Sequence, residues 1–219
     1  MKSICLVDSV LQSKLAYDGV NDFREFDFNI KEKISITNLL IKIELNAFNH
    51  LRNLKELDLT GNKIRTIESN LLQPLQHLIK LNLRRNEIIQ IDPNGLAGLS
   101  SLRMLYLQSN KISHIAPGVF KHLCALEDLE LDGNKLAKLE SCAFENLNEL
   151  RRLYVCRNML SSIETDAFKG LYNLKELYLC NNKLVKFEAR KFKNLKELLL
   201  LDISKCAFSF FYMRVSGFI

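Results

Sequence analysis

Leucine recurs every 24 residues along most of the chain, and this spacing constrains the fold more than any other feature of the sequence. The leucines that open successive periods are Leu54, Leu78, Leu102, Leu126, Leu150, Leu174 and Leu198. A fixed period of roughly 20–50 residues predicts a stack of structural units, each burying its apolar side against its neighbours. We therefore expect the 219-residue chain to form one continuous body and not several globular domains.

Apolar residues also stand three and five positions after each opening leucine, as Leu105 and Leu107 do in the third period. Because successive side chains of a strand point to opposite faces, this spacing indicates a short strand with one buried face. Identical strands of neighbouring repeats can pair side by side. We expect one parallel sheet of seven strands, centred near residues 57, 81, 105, 129, 153, 177 and 201.

The eighth position after the opening leucine is asparagine in six consecutive periods: Asn62, Asn86, Asn110, Asn134, Asn158 and Asn182. The chain has to turn inward after the strand, where its backbone groups need hydrogen-bond partners. An amide side chain both donates and accepts, so we expect this column to bond the backbones of adjacent turns and not to bind a ligand. Position eighteen carries an aromatic or apolar series that we expect to form a spine: Phe48, Leu72, Leu96, Phe120, Phe144, Phe168 and Phe192.

These motifs resemble the leucine-rich repeat family in its 24-residue form, LxxLxLxxNxIxxIxxxxFxxLxx, over residues 30–206. The resemblance implies an α/β fold, a right-handed curved solenoid with a parallel sheet on its concave face. It implies an N-terminal flank or cap over 1–29, a short first repeat followed by full repeats up to 206, and an incomplete last repeat or truncated tail over 207–219. Relatives with this repeat length and a phenylalanine spine are mostly extracellular, including Toll-like receptors and insect adhesion and immune proteins.

Both ends of the chain depart from that family pattern. Neither shows the cysteine-rich cap that many extracellular members carry, Asp8 interrupts the apolar start of a signal peptide, and no Asn-x-Ser/Thr sequence occurs. We expect an extracellular or membrane-associated protein from the resemblance, with a cytosolic scaffold or regulatory subunit as the alternative. Cys206 replaces the column asparagine, and the apolar residues Phe208 and Phe211 follow it. They predict either a fragment or an uncapped edge that forms a homodimer or heterodimer.

Candidate binding residues stand at the strand positions that face solvent on the expected concave side. They are Arg84, Tyr106, Gln108, Glu130, Asp132, Arg152, Tyr154 and Tyr178. Tyrosines of this kind are enriched in interface cores, although ordinary half-exposed strand tyrosines would give the same pattern. Charges of alternating sign on successive turns favour a protein ligand, and a net charge of +6 interspersed with acid does not predict nucleic-acid binding.

Cys156 and Cys180 occupy the sixth position of consecutive repeats. Adjacent strands lie about 4.7–4.9 Å apart, which permits a disulfide. Parallel neighbours often cannot supply the side-chain rotamers that a disulfide needs, so we expect two free thiols. The chain has no Cys-x-x-Cys cluster, glycine-rich phosphate loop, nucleophile elbow or HExxH helix, so we expect no metal, no cofactor and no enzymatic activity. No apolar stretch reaches the roughly 18 residues of a membrane span. The sequence thus predicts a non-catalytic protein-binding module in recognition, adhesion or innate immunity.

Overall fold

The computed structural model describes residues 32–37 and 40–207, together with the backbone of residues 4–5 and 212–213. The helical element within these residues is one 3-10 helix, Ala189–Phe192, and no described helix is long and apolar enough to cross a membrane. The strands are β1 (Ile4–Cys5), β2 (Lys33–Ser35), β3 (Glu56–Asp58), β4 (Thr66–Ile67), β5 (Lys80–Asn82), β6 (Gln90–Ile91), β7 (Met104–Tyr106), β8 (Asp128–Glu130), β9 (Lys138–Leu139), β10 (Arg152–Tyr154), β11 (Ser162–Ile163), β12 (Glu176–Tyr178), β13 (Leu200–Asp202) and β14 (Tyr212–Met213).

The main sheet has the order β1-β2-β3-β5-β7-β8-β10-β12-β13-β14. The seven strands from β3 to β13 pair in parallel, and each residue lies beside the residue 24 positions further along, as Leu105 does with Leu129. The predicted seven-stranded parallel sheet is therefore confirmed. Two smaller parallel pairs, β4 with β6 and β9 with β11, stand later in their repeats.

The central residue of each of these seven strands of the main sheet is buried, and five of them are fully so: Leu81, Leu105, Leu129, Leu153 and Leu177. The flanking strand residues are mostly half-exposed, as the alternation of a one-sided strand requires. The buried leucines of successive repeats lie in one apolar cluster that runs through the stack. Each repeat therefore completes the core of its neighbours.

The asparagine column ties adjacent repeats together through their backbones. The Asn110 Oδ1 accepts a hydrogen bond from the Ile88 amide at 3.0 Å, and its Nδ2 donates to the Leu83 and Leu107 carbonyls at 2.9 and 3.0 Å. Two of these three partners belong to the preceding repeat. The same arrangement recurs at Asn62, Asn86, Asn134, Asn158 and Asn182.

Cys206 occupies the equivalent place in the last repeat. Its Sγ donates to the Leu179 carbonyl at 3.3 Å, the backbone group that lies 27 residues earlier, as the asparagine partners of the preceding repeats do. Burial raises the pKa of the Cys206 thiol. A thiol thus keeps one bond of the ladder while remaining protonated, as a donor must be.

Phenylalanines of the connecting segments stack on one another in the core. Phe120 and Phe144 have ring centroids 6.1 Å apart, and Phe144 and Phe168 have theirs 6.3 Å apart, with nearly parallel planes in both pairs. Phe192 continues the series at 5.4 Å from Phe168. The 24-residue register therefore extends from the sheet to the connecting segments.

The residue before each column asparagine, and before Cys206 in the last repeat, has a left-handed backbone. The residues and their φ angles are Gly61 (73°), Arg85 (52°), Ser109 (56°), Gly133 (64°), Arg157 (54°), Asn181 (54°) and Lys205 (53°). Only two of the seven are glycine, although this conformation costs other residues about 1–2 kcal/mol each. The turn is imposed by the stack and not by local sequence preference.

The final strand differs from the repeats that precede it. The backbone of β14 pairs antiparallel with β13, joining Leu201 to Met213 and Asp202 to Tyr212. At these residues β14 supplies hydrogen bonds that β13 would lack as an edge strand. Dimerisation through the C-terminal edge stays a prediction. Phe208 and Phe211, on which that expectation depended, lie outside the described residues.

Replacement of Asn110 by alanine tests the column. The change leaves buried backbone groups of two repeats without partners, so it should lower the free energy of unfolding by about 1–3 kcal/mol. Leu105→Ala should cost roughly 2–5 kcal/mol because it also opens a cavity. Asn148→Ala, at an exposed asparagine, is the control and should change urea denaturation little. Neutral results for both interior variants would contradict the assignment.

Gly98 and Gly118 provide a matched test of backbone packing. Both have positive φ angles, of 87° and 75°. A Cβ at Gly98 would lie within 2.6 Å of the Gln73 Cα, whereas one at Gly118 would meet only the Lys121 Cδ at 3.9 Å. Gly118→Ala should therefore cost about 1–2 kcal/mol from its conformation alone, and Gly98→Ala should cost clearly more in thermal or urea denaturation. Equal losses would show that the close approach at Gly98 is relieved without cost.

Candidate binding surface on the parallel sheet

The solvent-facing side of the main sheet carries the residues two, four and six positions after each opening leucine, and we call it the sheet face. We name these the second, fourth and sixth positions of the repeat. These residues flank the buried leucines, so their side chains alternate away from the core. Because the strands are parallel and in register, residues at one position of successive repeats form straight columns. On this surface, a residue's neighbours across the strands are therefore the residues at the same position of the adjacent repeats.

Two tyrosines of the fourth-position column stack face to face. The rings of Tyr154 and Tyr178 have centroids 4.6 Å apart and an interplanar angle of 4°. The Tyr178 hydroxyl donates to the Glu176 Oε2 at 2.9 Å. Burial, together with that hydrogen bond and the negative charge of Glu176, raises the pKa of Tyr178 to about 12. Both rings are therefore neutral and held in place.

Arg152 forms a two-pronged ion pair with Asp128 on the neighbouring strand. Its Nε donates to the Asp128 Oδ1 and its Nη2 to the Oδ2 at 2.6 Å. Asp128 is only 8% exposed, whereas about half of the Arg152 side chain is in contact with solvent. The hydrogen bond to Asp128 raises the pKa of the Arg152 guanidinium above its usual range. The guanidinium thus remains charged, and the bidentate geometry fixes its plane.

Tyr106 lies two strands away from the stacked pair, separated by Glu130. Its hydroxyl donates to the Met104 Sδ at 3.4 Å, and the Lys80 Nζ lies 5.3 Å from its ring centroid. That distance is within the range of a cation–π contact. The three candidate tyrosines therefore occupy one column but do not form one stack.

Glu130 and Asp132 place two carboxylates between Tyr106 and the stacked pair. Burial raises the pKa of both groups. The positive charge of Arg84 opposes the shift at Glu130, and a hydrogen bond from the Cys156 amide opposes it at Asp132. That hydrogen bond is 2.7 Å long. Ionised carboxylates here are incompletely solvated, so contact with a cationic group would be favourable.

Three residues differ from the sequence expectation. Gln108, a predicted solvent-facing contact, is buried and only 6% exposed. Asp128 pairs with Arg152, and Lys80 contacts Tyr106. Neither residue is among the binding residues that the sequence predicts. The spacing could have identified Asp128, because it lies 24 residues before Arg152 and residues 24 apart are strand neighbours.

Cys156 and Cys180 are joined by a disulfide in the structure, with their Cα atoms 4.6 Å apart. The pair is part of the sixth-position column beside the stacked tyrosines. The expectation of two free thiols is therefore wrong, because the parallel register holds the two Cα atoms within disulfide range. Among the described residues, Cys124, Cys142 and Cys206 are free.

A family comparison covers most of the chain. The model described as Leucine rich repeat matches residues 52–112, 104–158 and 148–208. The chain belongs to the leucine-rich repeat family. This family is generally a protein-interaction fold and not an enzymatic one. No curated protein sequence matches the chain.

Solved structures of other leucine-rich repeat proteins are similar to this one. TLR13, in a TLR13–ssRNA13 complex, is 33% identical with a TM-score of 0.72, over 74% of this chain and 23% of that one. The Leptospira interrogans LRR protein LIC12759 is 28% identical with a TM-score of 0.67, over 76% of this chain and 41% of that one. A structure of the Drosophila Toll–Spatzle complex, at 22% identity and a TM-score of 0.66, shares the fold over 80% of this chain and 28% of that one.

The raised pKa of Glu130 leads to a pH-dependent prediction. Folding favours the protonated carboxyl, so the ionised group opposes folding at neutral pH, and this penalty disappears as pH falls below the carboxyl's ordinary range. Glu130→Gln should therefore raise the urea midpoint at pH 7, and the difference from the unmodified chain should close on acidification. Glu149→Gln, at an exposed glutamate, serves as the control. A Glu130→Gln variant less stable than the unmodified chain at pH 7 would contradict the assignment.

Proposed function

We propose that the sheet face binds a protein ligand, with its centre on the third to sixth full repeats of this leucine-rich repeat module. The observation that carries the proposal is the stacked Tyr154–Tyr178 pair beside the bidentate Arg152–Asp128 pair. Aromatic and arginine side chains supply most of the energy at protein interfaces. Here they lie next to each other on rigid strands and remain partly exposed.

The arrangement is ordered before any ligand arrives. Each stacked ring restrains the other, the Tyr178 hydroxyl is bonded to Glu176, and the Arg152 guanidinium is bonded at two points. Association normally costs about 0.5–1.5 kcal/mol for each flexible side chain that becomes fixed. Side chains already held in place avoid much of that cost, and tyrosine adds broad contact area with few rotatable bonds.

The charge of the surface favours a protein ligand over an RNA ligand. Across the seven full repeats, the second, fourth and sixth positions hold seven acidic and three basic residues, although the whole chain has a net charge of +6. The basic residues at position seven, Arg85, Arg157 and Lys205, line one side of this acidic strip. RNA binding depends on neutralising phosphates. An acidic strip does not supply that neutralisation, so we do not propose an RNA ligand of the kind in the TLR13 structure.

The expected partner follows from this distribution. It carries an apolar or aromatic group that packs on the tyrosine pair, and basic groups that face Glu130 and Asp132. Opposite charges at such a rim act mainly on association rate and orientation. The disulfide between Cys156 and Cys180 favours an oxidising compartment, so we place this recognition outside the cell, in adhesion or innate immunity.

Tyr154→Ala is the central test of the proposed surface. It removes half of the stacked pair and should weaken ligand binding by about 2 kcal/mol, the size of an interface hot spot, while the melting transition moves little. Immobilised unmodified chain and variant would be compared for the proteins they retain from separate extracellular and cytosolic fractions. The Kd of a differentially retained protein would then be measured by calorimetry.

Tyr172→Ala is the matched control, because Tyr172 is an exposed tyrosine that lies outside the sheet. A ligand retained by the unmodified chain and by this control, but lost by Tyr154→Ala, supports the proposal. A ligand that binds all three chains equally contradicts it and directs attention to the connecting segments. Retention solely from the cytosolic fraction would favour an intracellular scaffold on the same surface.

A further inference from the structure

We propose that this chain contains a redox-controlled site for one Zn²⁺ ion, formed by Cys156, Cys180 and Asp202 when the disulfide is reduced. The two Sγ atoms and a carboxylate oxygen of Asp202 all lie within 4.8 Å of one another. Two thiolates and a carboxylate are ligands that zinc accepts, whereas Mg²⁺ and Ca²⁺ select oxygen donors alone. The site adjoins the proposed ligand surface, since Asp202 pairs with Tyr178, but it does not depend on ligand binding there.

The repeat architecture brings the three ligands together from residues far apart in sequence. Cys156 and Cys180 share position six of the fifth and sixth repeats, and their Cα atoms are 4.6 Å apart. Asp202 ends β13, where it pairs with Tyr178 of β12. Three consecutive repeats thus supply one ligand each: Cys156 and Cys180 stand two residues after the ends of β10 and β12, and Asp202 is the last residue of β13.

Backbone hydrogen bonds orient the ligands. The Cys180 amide donates to the Cys156 Sγ at 3.1 Å, and the Cys156 amide donates to the Asp132 Oδ1 at 2.7 Å. The Ser204 amide donates to the Asp202 Oδ1 at 2.9 Å. These contacts restrain the groups that would hold the ion, in the way that outer-shell hydrogen bonds stabilise metal sites.

Asp202 adds a carboxylate to the two cysteines, with an oxygen within 4.8 Å of both sulfurs. Once reduced, two thiolates beside a carboxylate would repel one another unless a cation lay between them. Zn²⁺ removes that repulsion, and its fourth coordination position remains available to water or to a group from a partner.

A small dithiol can reduce the Cys156–Cys180 disulfide by thiol–disulfide exchange. The attacking thiolate forms a mixed disulfide with one protein sulfur and releases the other, and its second thiol then completes the exchange. The protein bond gains two electrons and yields two thiols, while the reductant becomes a disulfide. Zinc binding then displaces the two thiol protons to solvent, so affinity should fall as pH is lowered.

Cobalt titration of the full chain tests the proposal, because Co²⁺ bound to thiolates absorbs through sulfur-to-metal charge transfer whereas Zn²⁺ is silent. The dithiol-reduced chain, freed of excess reductant without oxygen, should develop this absorption, saturate at one equivalent and lose it when Zn²⁺ is added. The oxidised chain should not develop it. Circular dichroism must show native structure after reduction, and its loss would overturn the proposal because the ligands come from three different repeats.

Variants assign the absorption to these residues. Cys180→Ser should abolish it, and Cys124→Ser, at an exposed free cysteine, should leave it unchanged. Asp202→Asn keeps both thiols and should weaken cobalt affinity about tenfold or more, since even outer-shell changes cost 10–100-fold. Absence of the absorption in the reduced chain, its survival in Cys180→Ser, or unchanged affinity in Asp202→Asn would each overturn the assignment.

Discussion

The hydrogen bonds of the column asparagines are the interaction on which the rest of this structure depends. The short strands of three residues each leave the chain turning into the core with unpaired backbone groups, and burial of such groups is costly. Asn110 satisfies groups of its own repeat and of the preceding one with a single side chain. Repetition of that arrangement keeps every repeat at the same height relative to its neighbour, so that the leucines and phenylalanines meet in layers.

A fixed register between repeats turns sequence offsets into spatial neighbours. Tyr154 meets Tyr178, Arg152 meets Asp128 and Cys156 meets Cys180 because each pair is separated by 24 residues. The same rule explains the ion pairs between exposed side chains, such as Lys111 with Glu87. Few other folds allow long-range contacts to be inferred so directly from spacing, since in most folds sequence separation says little about proximity.

Much of the fold was predictable for this reason. Periodicity locates the strands around Leu105 and its counterparts, and the chemistry of the amide identifies the asparagine column. Periodicity does not show which neighbours form contacts. The burial of Gln108 and the pairing of Arg152 with Asp128 depend on side-chain lengths and rotamers that spacing leaves open. The left-handed conformation of Arg85 and Arg157 contradicts local preference, so only the stacked structure reveals it. The antiparallel β14 lies beyond the repeats, where the period gives no guidance.

The constant register also allows the sheet face to change by the gain or loss of whole 24-residue repeats. Removal of residues 126–149 would delete one complete period and join two segments that already share the same phase. Tyr106 would then lie beside Tyr154 and extend the tyrosine column to three adjacent rings, while Arg152 would lose Asp128. Loss of any number of residues that is not a multiple of the period would instead shift leucines out of the core. Variation in surface chemistry is therefore available to this chain through the gain or loss of repeats, at little risk to the framework that supports it.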